Sequence, residues 1–309
     1  MGNGGNKVAK NLTLLSSVDS EPVREMWLPI GLSILLTIGT YWTMFFYAAD
    51  KWASSDDHSH GPFIPIASLY LVWHIRKQLA ALPRQGSAWG LVLIGVALLL
   101  HCLGIRSEIY RLSMLSFIPM LYGLVLFFAG KQWMKALLFP IGFLIFAFPF
   151  PIFVETVTFP LKIFVAKVSV YIMEQMGLSV YREGTVIHLP NLAMGVEDAC
   201  SGLRSIFLVA SVSAFYAYRF FERFLKRVAF FCLALPIAVV SNLIRVLFTG
   251  LAGYYLGDGP VFHAAHDASG LIVLVVAGIS LVVADAVLTR VGKKLKIIFP
   301  SLRGADEQI

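Results

Sequence analysis

Charged residues are scarce in this chain. Only 14% of its 309 residues are Asp, Glu, Lys or Arg, against about 25% in a soluble domain. With 58% hydrophobic residues, that deficit excludes an ordinary globular core. Cysteine is scarce too: Cys102, Cys200 and Cys232 are the only three, too few for a disulfide framework. A concentrated basic patch is missing despite a net charge of +7. Lys and Arg recur instead in short loops, which excludes nucleic acid as a partner and fits the positive-inside rule. No domain linker, low-complexity tract or clear internal repeat breaks the chain. No small-residue cleavage site follows closely on the first apolar run, so the first span is expected to stay as an anchor.

What the chain has in abundance is apolar stretches, several near the roughly 20 residues that cross a bilayer. Eight spans are expected, at about 26–49, 62–75, 88–104, 112–129, 136–153, 203–219, 228–252 and 269–289. A ninth apolar segment, about 157–176, carries Lys162, Lys167 and Glu174 and reads as an amphipathic helix lying at the interface. From Tyr181 to Val196 the residues alternate around Gly184 and Pro190-Asn191, which predicts a small external β-hairpin leading to Cys200. Such backbone cannot face lipid. The predicted class is all-α: a polytopic transmembrane helical bundle of about eight spans, with a short external β-hairpin-like segment before Cys200. Residues 1–25 are expected to form a cytoplasmic N-terminal tail, 26–290 the transmembrane domain with an external segment at 154–202, and 291–309 a cytoplasmic C-terminal tail.

Loop charges give an orientation. Lys7, Lys10 and Arg24 precede the first span; Arg76, Lys77 and Arg84 follow the second; Lys131 and Lys135 follow the fourth. Arg219, Arg223, Lys226 and Arg227 follow the sixth, and Arg290, Lys293, Lys294 and Lys296 the eighth. All share one side if both termini are inside. Arg106 and Arg111 are the exception. On this count Cys200, just before span six, Arg245, in the outer part of span seven, and His266, just before span eight, arrive at one external membrane face.

Each of the three can do chemistry. Cys200 opens an apolar helix, where the positive end of the helix dipole lowers a thiol pKa and unpaired amides can hold an anion. The same amides suit an oxyanion; a small buried cysteine at a helix start is the plainer alternative. Arg245 stands among apolar residues inside a span, at a cost of at least about 2.5 kcal/mol. Such a residue marks a site or snorkels to the headgroups. Asn242, three residues earlier, shares its helical face. His266 can take the thiol proton and return it to a leaving amine, and His263 competes with it on spacing alone. Cys102 and Cys232, inside apolar runs, read as small buried thiols. The run Asp56-Asp57-His58-Ser59-His60 offers metal-ligand types without a recognised ligand spacing, so no metal is expected and the loop, His60 included, reads as lining a site. Glu197 and Asp198 read as local structural carboxylates. Asp285 reads as a group paired within the bundle.

Taken together these motifs resemble the exosortase/archaeosortase family of membrane transpeptidases. The matching elements are Ala199-Cys200-Ser201-Gly202-Leu203-Arg204-Ser205, Asn242-Leu243-Ile244-Arg245 and His266-Asp267-Ala268-Ser269-Gly270. Ser59-His60-Gly61 before an apolar span and Phe148-Pro149-Phe150-Pro151 also fit. The resemblance implies a catalytic set of Cys200, Arg245 and His266, and it selects His266 over His263. It points to Asn242, Ser201 and His60 as substrate-binding positions and implies no cofactor. The implied activity is cleavage of the C-terminal sorting signal of exported proteins through an acyl-thioester, with transfer to an acceptor amine such as a lipid or glycan. The implied partners are membrane-anchored proteins ending in a short motif, an apolar span and a basic tail, besides membrane lipid itself. The implied location is the cytoplasmic membrane, with the site on its external face. No extra C-terminal domain is expected after span eight. Two other readings fit the residues: a lipid-linked glycan or acyl transferase that needs no Cys200, and a transporter whose path is lined by Arg245 and Asp285, for which no inverted repeat speaks.

Overall fold

The computed structural model describes residues 21–54, 58–148, 152–195 and 202–298. The described chain is helical apart from one small sheet. Seven helices come first: α1 Glu21–Thr40, α2 Trp42–Ser54, α3 Phe63–His74, α4 Arg76–Ala81, α5 Trp89–Arg106, α6 Tyr110–Phe128 and α7 Lys131–Gly142. A 3-10 turn at Phe143–Ala147 precedes α8, Ile152–Gln175. Strands β1 Tyr181–Glu183, β2 Val186–Leu189 and β3 Leu192–Gly195 follow, then α9 Gly202–Phe220, α10 Phe224–Leu256 and α11 Pro260–Ile298.

Among the described residues, four helices are long and apolar enough to cross a membrane: α5, α6, α10 and α11 up to Val291. The pair α1–α2 makes a fifth span if counted as one, bent by 57° at its break. The expected eight regular spans are therefore not found. The segment at 62–75 forms a helix of 12 residues, about 18 Å long and short of the roughly 30 Å hydrocarbon core. The segment at 136–153 is broken: α7 carries Pro140 and gives way to the 3-10 turn after Gly142. By contrast α9, Gly202–Phe220, is a 19-residue helix over the sixth expected span. Hydropathy along the sequence counts apolar residues without knowing where the helix axis breaks, and the segments at 62–75 and 136–153 are where the two diverge. Apolar side chains that cover the outside, among them Leu28, Phe63, Trp89, Leu274 and Val282, form the lipid-facing surface such a protein requires.

The chain divides into two compact units, residues 1–50 with 75–141, and 51–74 with 142–309. In the first, α5 and α6 form a tight antiparallel hairpin. The bend between α1 and α2 at Tyr41 brings that ring onto His101, with centroids 4.3 Å apart. Its hydroxyl bonds Ser116 Oγ at 2.8 Å. His101 Nδ1 meets Ser113 Oγ at 2.8 Å, and Ser116 Oγ donates to Ser113 O at 2.6 Å. Inside hydrocarbon such groups need partners within the protein, and the Tyr41–Ser116 and His101–Ser113 pairs tie α6 to its neighbours, while Ser116 to Ser113 lies within α6.

In the second unit, the segment read as an amphipathic helix forms α8, 24 residues long. Val165, Ala166, Val170 and Met173 on its buried face pack with Ile187, Leu189 and Met194 of the sheet and Val246 of α10. The sheet is a three-stranded antiparallel meander, with Arg182 opposite Ile187 and Ile187 opposite Met194. Its turns fall at Gly184-Thr185 and Pro190-Asn191, so both turn signals in the sequence act and the expected hairpin gains a third strand. Helices α10 and α11 form an antiparallel hairpin joined at Gly257, whose φ of 64° suits glycine. Gly253 permits the sheet to dock: a Cβ there would stand 3.0 Å from Leu189 Cδ1 and 3.2 Å from Phe262 Cε2. Cys102 and Cys232 are exposed on α5 and α10. They face outward from apolar helices instead of lying buried.

Candidate functional site

The α10–α11 hairpin sets Arg245 and Ser269 opposite each other. Arg245 lies 12 residues before Gly257 and Ser269 12 residues after it. Equal arms of an antiparallel pair bring such positions level. Arg245 Nε donates to Ser269 Oγ at 2.9 Å, and Ser269 Oγ donates to the His266 carbonyl at 2.5 Å. Ser269 is fully buried. The embedded guanidinium is thus pinned, through one hydroxyl, to the helical turn that carries His266.

Among the described residues, Ser269 is the only hydrogen-bond partner of Arg245, and no carboxylate pairs with it. Among the described residues its two terminal nitrogens have no partner, and they suit a ligand of carbonyl or oxyanion type. A guanidinium presents its donors as a rigid planar fork, suited to such oxygens. In the low dielectric of a membrane protein its field on a nearby charge is far stronger than in water.

His266 and His263 differ in surroundings. His263 has a 67% exposed side chain, and its Nε2 meets Asp258 Oδ1 at 3.1 Å. His266 is 28% exposed, with Nδ1 3.4 Å from Asp267 Oδ1, and its ring packs near Phe262. Being one turn further into α11, His266 is also the nearer of the two in sequence to Ser269.

Along α10 the residues Ser241, Asn242, Arg245 and Thr249 fall within about 100° of one another on the helical wheel. Ser241, Asn242 and Thr249 are buried, and Ser241 Oγ, Asn242 Oδ1 and Thr249 Oγ1 have no hydrogen-bond partner among the described residues. Asn242 lines a cavity between α8, α9 and α10 with Leu161, Lys162, Val165, Ile206, Ala238 and Val239. Beyond Arg245, Met173 of α8 and Met194 of the sheet cover α10 at Gly250, and Leu189 and Leu192 of the sheet cover it at Gly253.

The expected site residues thus fall into three groups. Arg245 and His266 are joined through Ser269, and Asn242 stands one turn from Arg245 on the same face. His60 is buried in the turn before α3, where Gly61 lies against the indole of Trp52 and Trp52 Nε1 donates to Ala147 O at 2.8 Å. Cys200 and Ser201 lie outside the described residues, as do Asp56, Asp57, Glu197 and Asp198. Ser269 was not singled out by chemistry from the sequence; its signal is the spacing of three from His266, which puts both on one face of a helix. Ser241 and Thr249 carry a similar signal, at minus four and plus four from Arg245.

At the other end of the same helices stands a second polar cluster. Lys226 Nζ bonds Asp285 Oδ1 at 2.9 Å and Thr289 Oγ1 at 3.0 Å, and Tyr216 OH donates to Asp285 Oδ2 at 3.0 Å. Asp285 is paired within the bundle, as its isolation in an apolar run suggests. It lies 16 residues along α11 from Ser269, about 24 Å away, so Arg245 and Asp285 do not share a site.

A family model described as transmembrane exosortase matches residues 52–283. No curated protein and no solved structure matches the chain. The matched region runs from the end of α2 to the middle of α11 and takes in Asn242, Arg245, His266 and Ser269, so this chain belongs to the transmembrane exosortase family.

Proposed function

We infer that the protein is a membrane-embedded cysteine transpeptidase that cuts the C-terminal sorting signal of exported proteins and passes the new C-terminus to an acceptor. The observation that carries this reading is Arg245: a guanidinium inside an apolar helix, held by one neutral hydroxyl, with no carboxylate partner among the described residues. A cation kept there against its insertion cost serves a negative charge that comes and goes. A tetrahedral oxyanion is such a charge.

In the proposed sequence the thiolate of Cys200 attacks the scissile carbonyl, and the guanidinium of Arg245 stabilises the oxyanion. The C–N bond breaks as His266, carrying the thiol proton, delivers it to the leaving amine. An acyl-thioester remains on Cys200. An acceptor amine gives its proton to His266, attacks the thioester and expels the thiolate, which restores the starting state; water in its place gives hydrolysis. The substrate is a membrane-anchored protein ending in a short motif, an apolar span and a basic tail, and the acceptor is a lipid or glycan amine. Ser201 and His60 serve as further substrate-binding positions.

The setting is the cytoplasmic membrane, with the site on its external face. Supporting this, Lys226 and Arg245 stand 19 residues apart on α10, about 28 Å along the axis and close to one hydrocarbon thickness. The basic α9–α10 connection then belongs to the inner side by the positive-inside rule.

The test is co-expression with a reporter carrying such a C-terminus, read as a mobility shift and by mass spectrometry. Cys200→Ala should leave the reporter uncut, and full processing by this variant would refute the reading. Arg245→Lys keeps the charge and loses the fork; wild-type rates from it would remove the oxyanion role. Because Cys102 and Cys232 are exposed, thiol-blocking is done on a chain carrying Cys102→Ser and Cys232→Ser. Inactivation of that chain favours the transpeptidase over a transferase that needs no thiol.

A further inference from the structure

We propose that the ends of α9, α10 and α11 far from Arg245 form a docking surface for the headgroup phosphates of anionic phospholipids. The inference is independent of the transpeptidase reading and needs only a membrane-embedded chain. Its frame is the closed cluster around Asp285. Tyr216 of α9 donates to Asp285 Oδ2 at 3.0 Å. Lys226 of α10 holds two groups of α11, Asp285 Oδ1 at 2.9 Å and Thr289 Oγ1 at 3.0 Å. Three helix ends are thereby held at one level, and Lys226 and Asp285 neutralise each other there.

At that level each helix adds an arginine with no carboxylate partner among the described residues. Arg219, three residues after Tyr216 on α9, has its Nε buried without a hydrogen-bond partner among them; its guanidinium lies 5.1 Å from the ring of Phe220. Arg227, next to Lys226 on α10, gives Nε to the Phe221 carbonyl at 2.7 Å and lies 5.1 Å from the ring of Tyr218. Its terminal nitrogens have no hydrogen-bond partner among the described residues. Arg290 follows Thr289 on α11 and is exposed. Arg223 adds a further cation between α9 and α10. With Asp285 paired, Glu222 is the one carboxylate left in 216–227 and 285–291, so the surplus is positive. Guanidinium forks match phosphate oxygens.

The apolar neighbours identify the anion as a lipid. Phe224 and Leu225 are each 78% exposed, and Phe220 is exposed beside Arg219. Apolar side chains interleaved with arginines mark the level where acyl chains give way to headgroups. A phospholipid meets both halves, with acyl carbons on Phe224 and Leu225 and phosphate on the arginines. An acidic protein segment would meet the arginines and leave the apolar residues in water. Free phosphate would use the arginines alone. The first turn of α10 receives no side-chain cap, so its amides add donors to the same surface.

The test is native mass spectrometry of the full-length chain, titrated with phosphatidylglycerol or with phosphatidylcholine of the same acyl chains. The wild type should bind phosphatidylglycerol at least about tenfold more tightly, since each arginine near an anionic headgroup contributes about fivefold. Arg219→Gln with Arg290→Gln should remove most of that preference, and adding Arg227→Gln the rest, with phosphatidylcholine binding unchanged. A control carrying Lys77→Gln, Lys131→Gln and Lys135→Gln removes three charges from the other unit and should keep the preference.

Arg219 and Arg290 make no hydrogen bond with the described residues, so the double variant should melt like the wild type before lipid is added. It carries the test alone if loss of the Arg227 bond to Phe221 unfolds the triple variant. Phosphatidylglycerol should raise the melting temperature of the wild type and the control more than that of the double variant. Equal loss of preference in the control overturns the surface, because net charge alone would then set the binding. A preference kept in full by the arginine variants overturns it as well. Displacement of phosphatidylglycerol by equimolar inorganic phosphate would make the ligand a free anion and overturn the lipid.

Discussion

Two sets of buried polar side chains, one in each unit, invite comparison. In the first unit Tyr41, His101, Ser113 and Ser116 are closed on one another, and no buried side-chain nitrogen or oxygen of that unit lacks a partner among the described residues. In the second, Ser241, Asn242 and Thr249 on α10 and Ser169 on α8 keep oxygens with none. Both sets sit in apolar surroundings, where an unpaired polar atom is costly. A closed network holds helices together and has nothing left to offer. An open stripe beside an embedded arginine is a place kept for something that arrives. The Lys226–Asp285 cluster shows that the distinction is not one between units: it shares α10 and α11 with the open stripe and is closed.

The sharpest way to break the comparison is to remove Arg245. Arg245→Ala should lower reporter cleavage by about 100- to 1,000-fold, the usual loss for one oxyanion donor. The melting temperature in detergent should not fall, because no ion pair among the described residues is lost and an apolar helix loses a charge. Unfolding of this variant would instead make Arg245 part of the frame.

Next come two substitutions of opposite sign. Ser113→Ala leaves His101 Nδ1 buried without its partner and should destabilise by about 1–3 kcal/mol, with cleavage per folded molecule unchanged. Adding His101→Leu should recover most of that loss, since replacing both partners by apolar groups is nearly neutral. Asn242→Leu removes an unpaired acceptor at similar shape. It should raise stability by about 1–3 kcal/mol on the same argument while lowering cleavage. Paired denaturation curves and initial rates decide it: a destabilised Asn242→Leu would mean that the stripe is closed after all.

Much of this division was legible in the sequence. The membrane class followed from missing charge, and Arg245 from being charged inside an apolar run. Asn242 followed from its spacing to Arg245, and the two turns of the sheet from Gly184 and Pro190-Asn191. The number of full spans was not legible, because α3 stops at 12 residues and α7 ends in a 3-10 turn, and apolar composition carries no signal of either. The state of Cys102 and Cys232 was not legible either, since in a membrane helix the apolar side is as often the lipid side as the core. Ser269 escaped because a serine in a span is commonplace; what makes it matter is the level at which α11 passes α10, which only the hairpin at Gly257 fixes.

Ser269→Ala tests that level contact. Arg245 would lose its one bond among the described residues and keep its charge, so its fork would be less well aimed. A fall of about tenfold in cleavage is expected, smaller than for Arg245→Ala, since misplacement costs less than removal. Ser269→Thr, which keeps the hydroxyl, should retain more activity than alanine. Equal activity of the alanine variant and the wild type would free Arg245 from any dependence on α11.

The smallest effect is expected at Asp285, and it bears on the whole comparison. Asp285→Asn keeps the shape of the side chain and an oxygen for Tyr216 OH or Lys226 Nζ. Lys226 keeps Thr289 Oγ1 at 3.0 Å and the face of Phe221 at 3.7 Å. Both partners of the ion pair are 27% exposed, so solvent screens part of the attraction, and a loss of about 1 kcal/mol or less is expected. Cleavage should be unchanged, because about 24 Å of α11 separates Asp285 from Ser269. Asp285→Leu should cost more stability, since it leaves the ammonium of Lys226 without a counter-charge. If Asp285→Asn stayed folded and yet lost cleavage as fully as Arg245→Ala, the closed cluster would be working with the open stripe. A path along α10 and α11 would then explain both ends better than a peptide site at one.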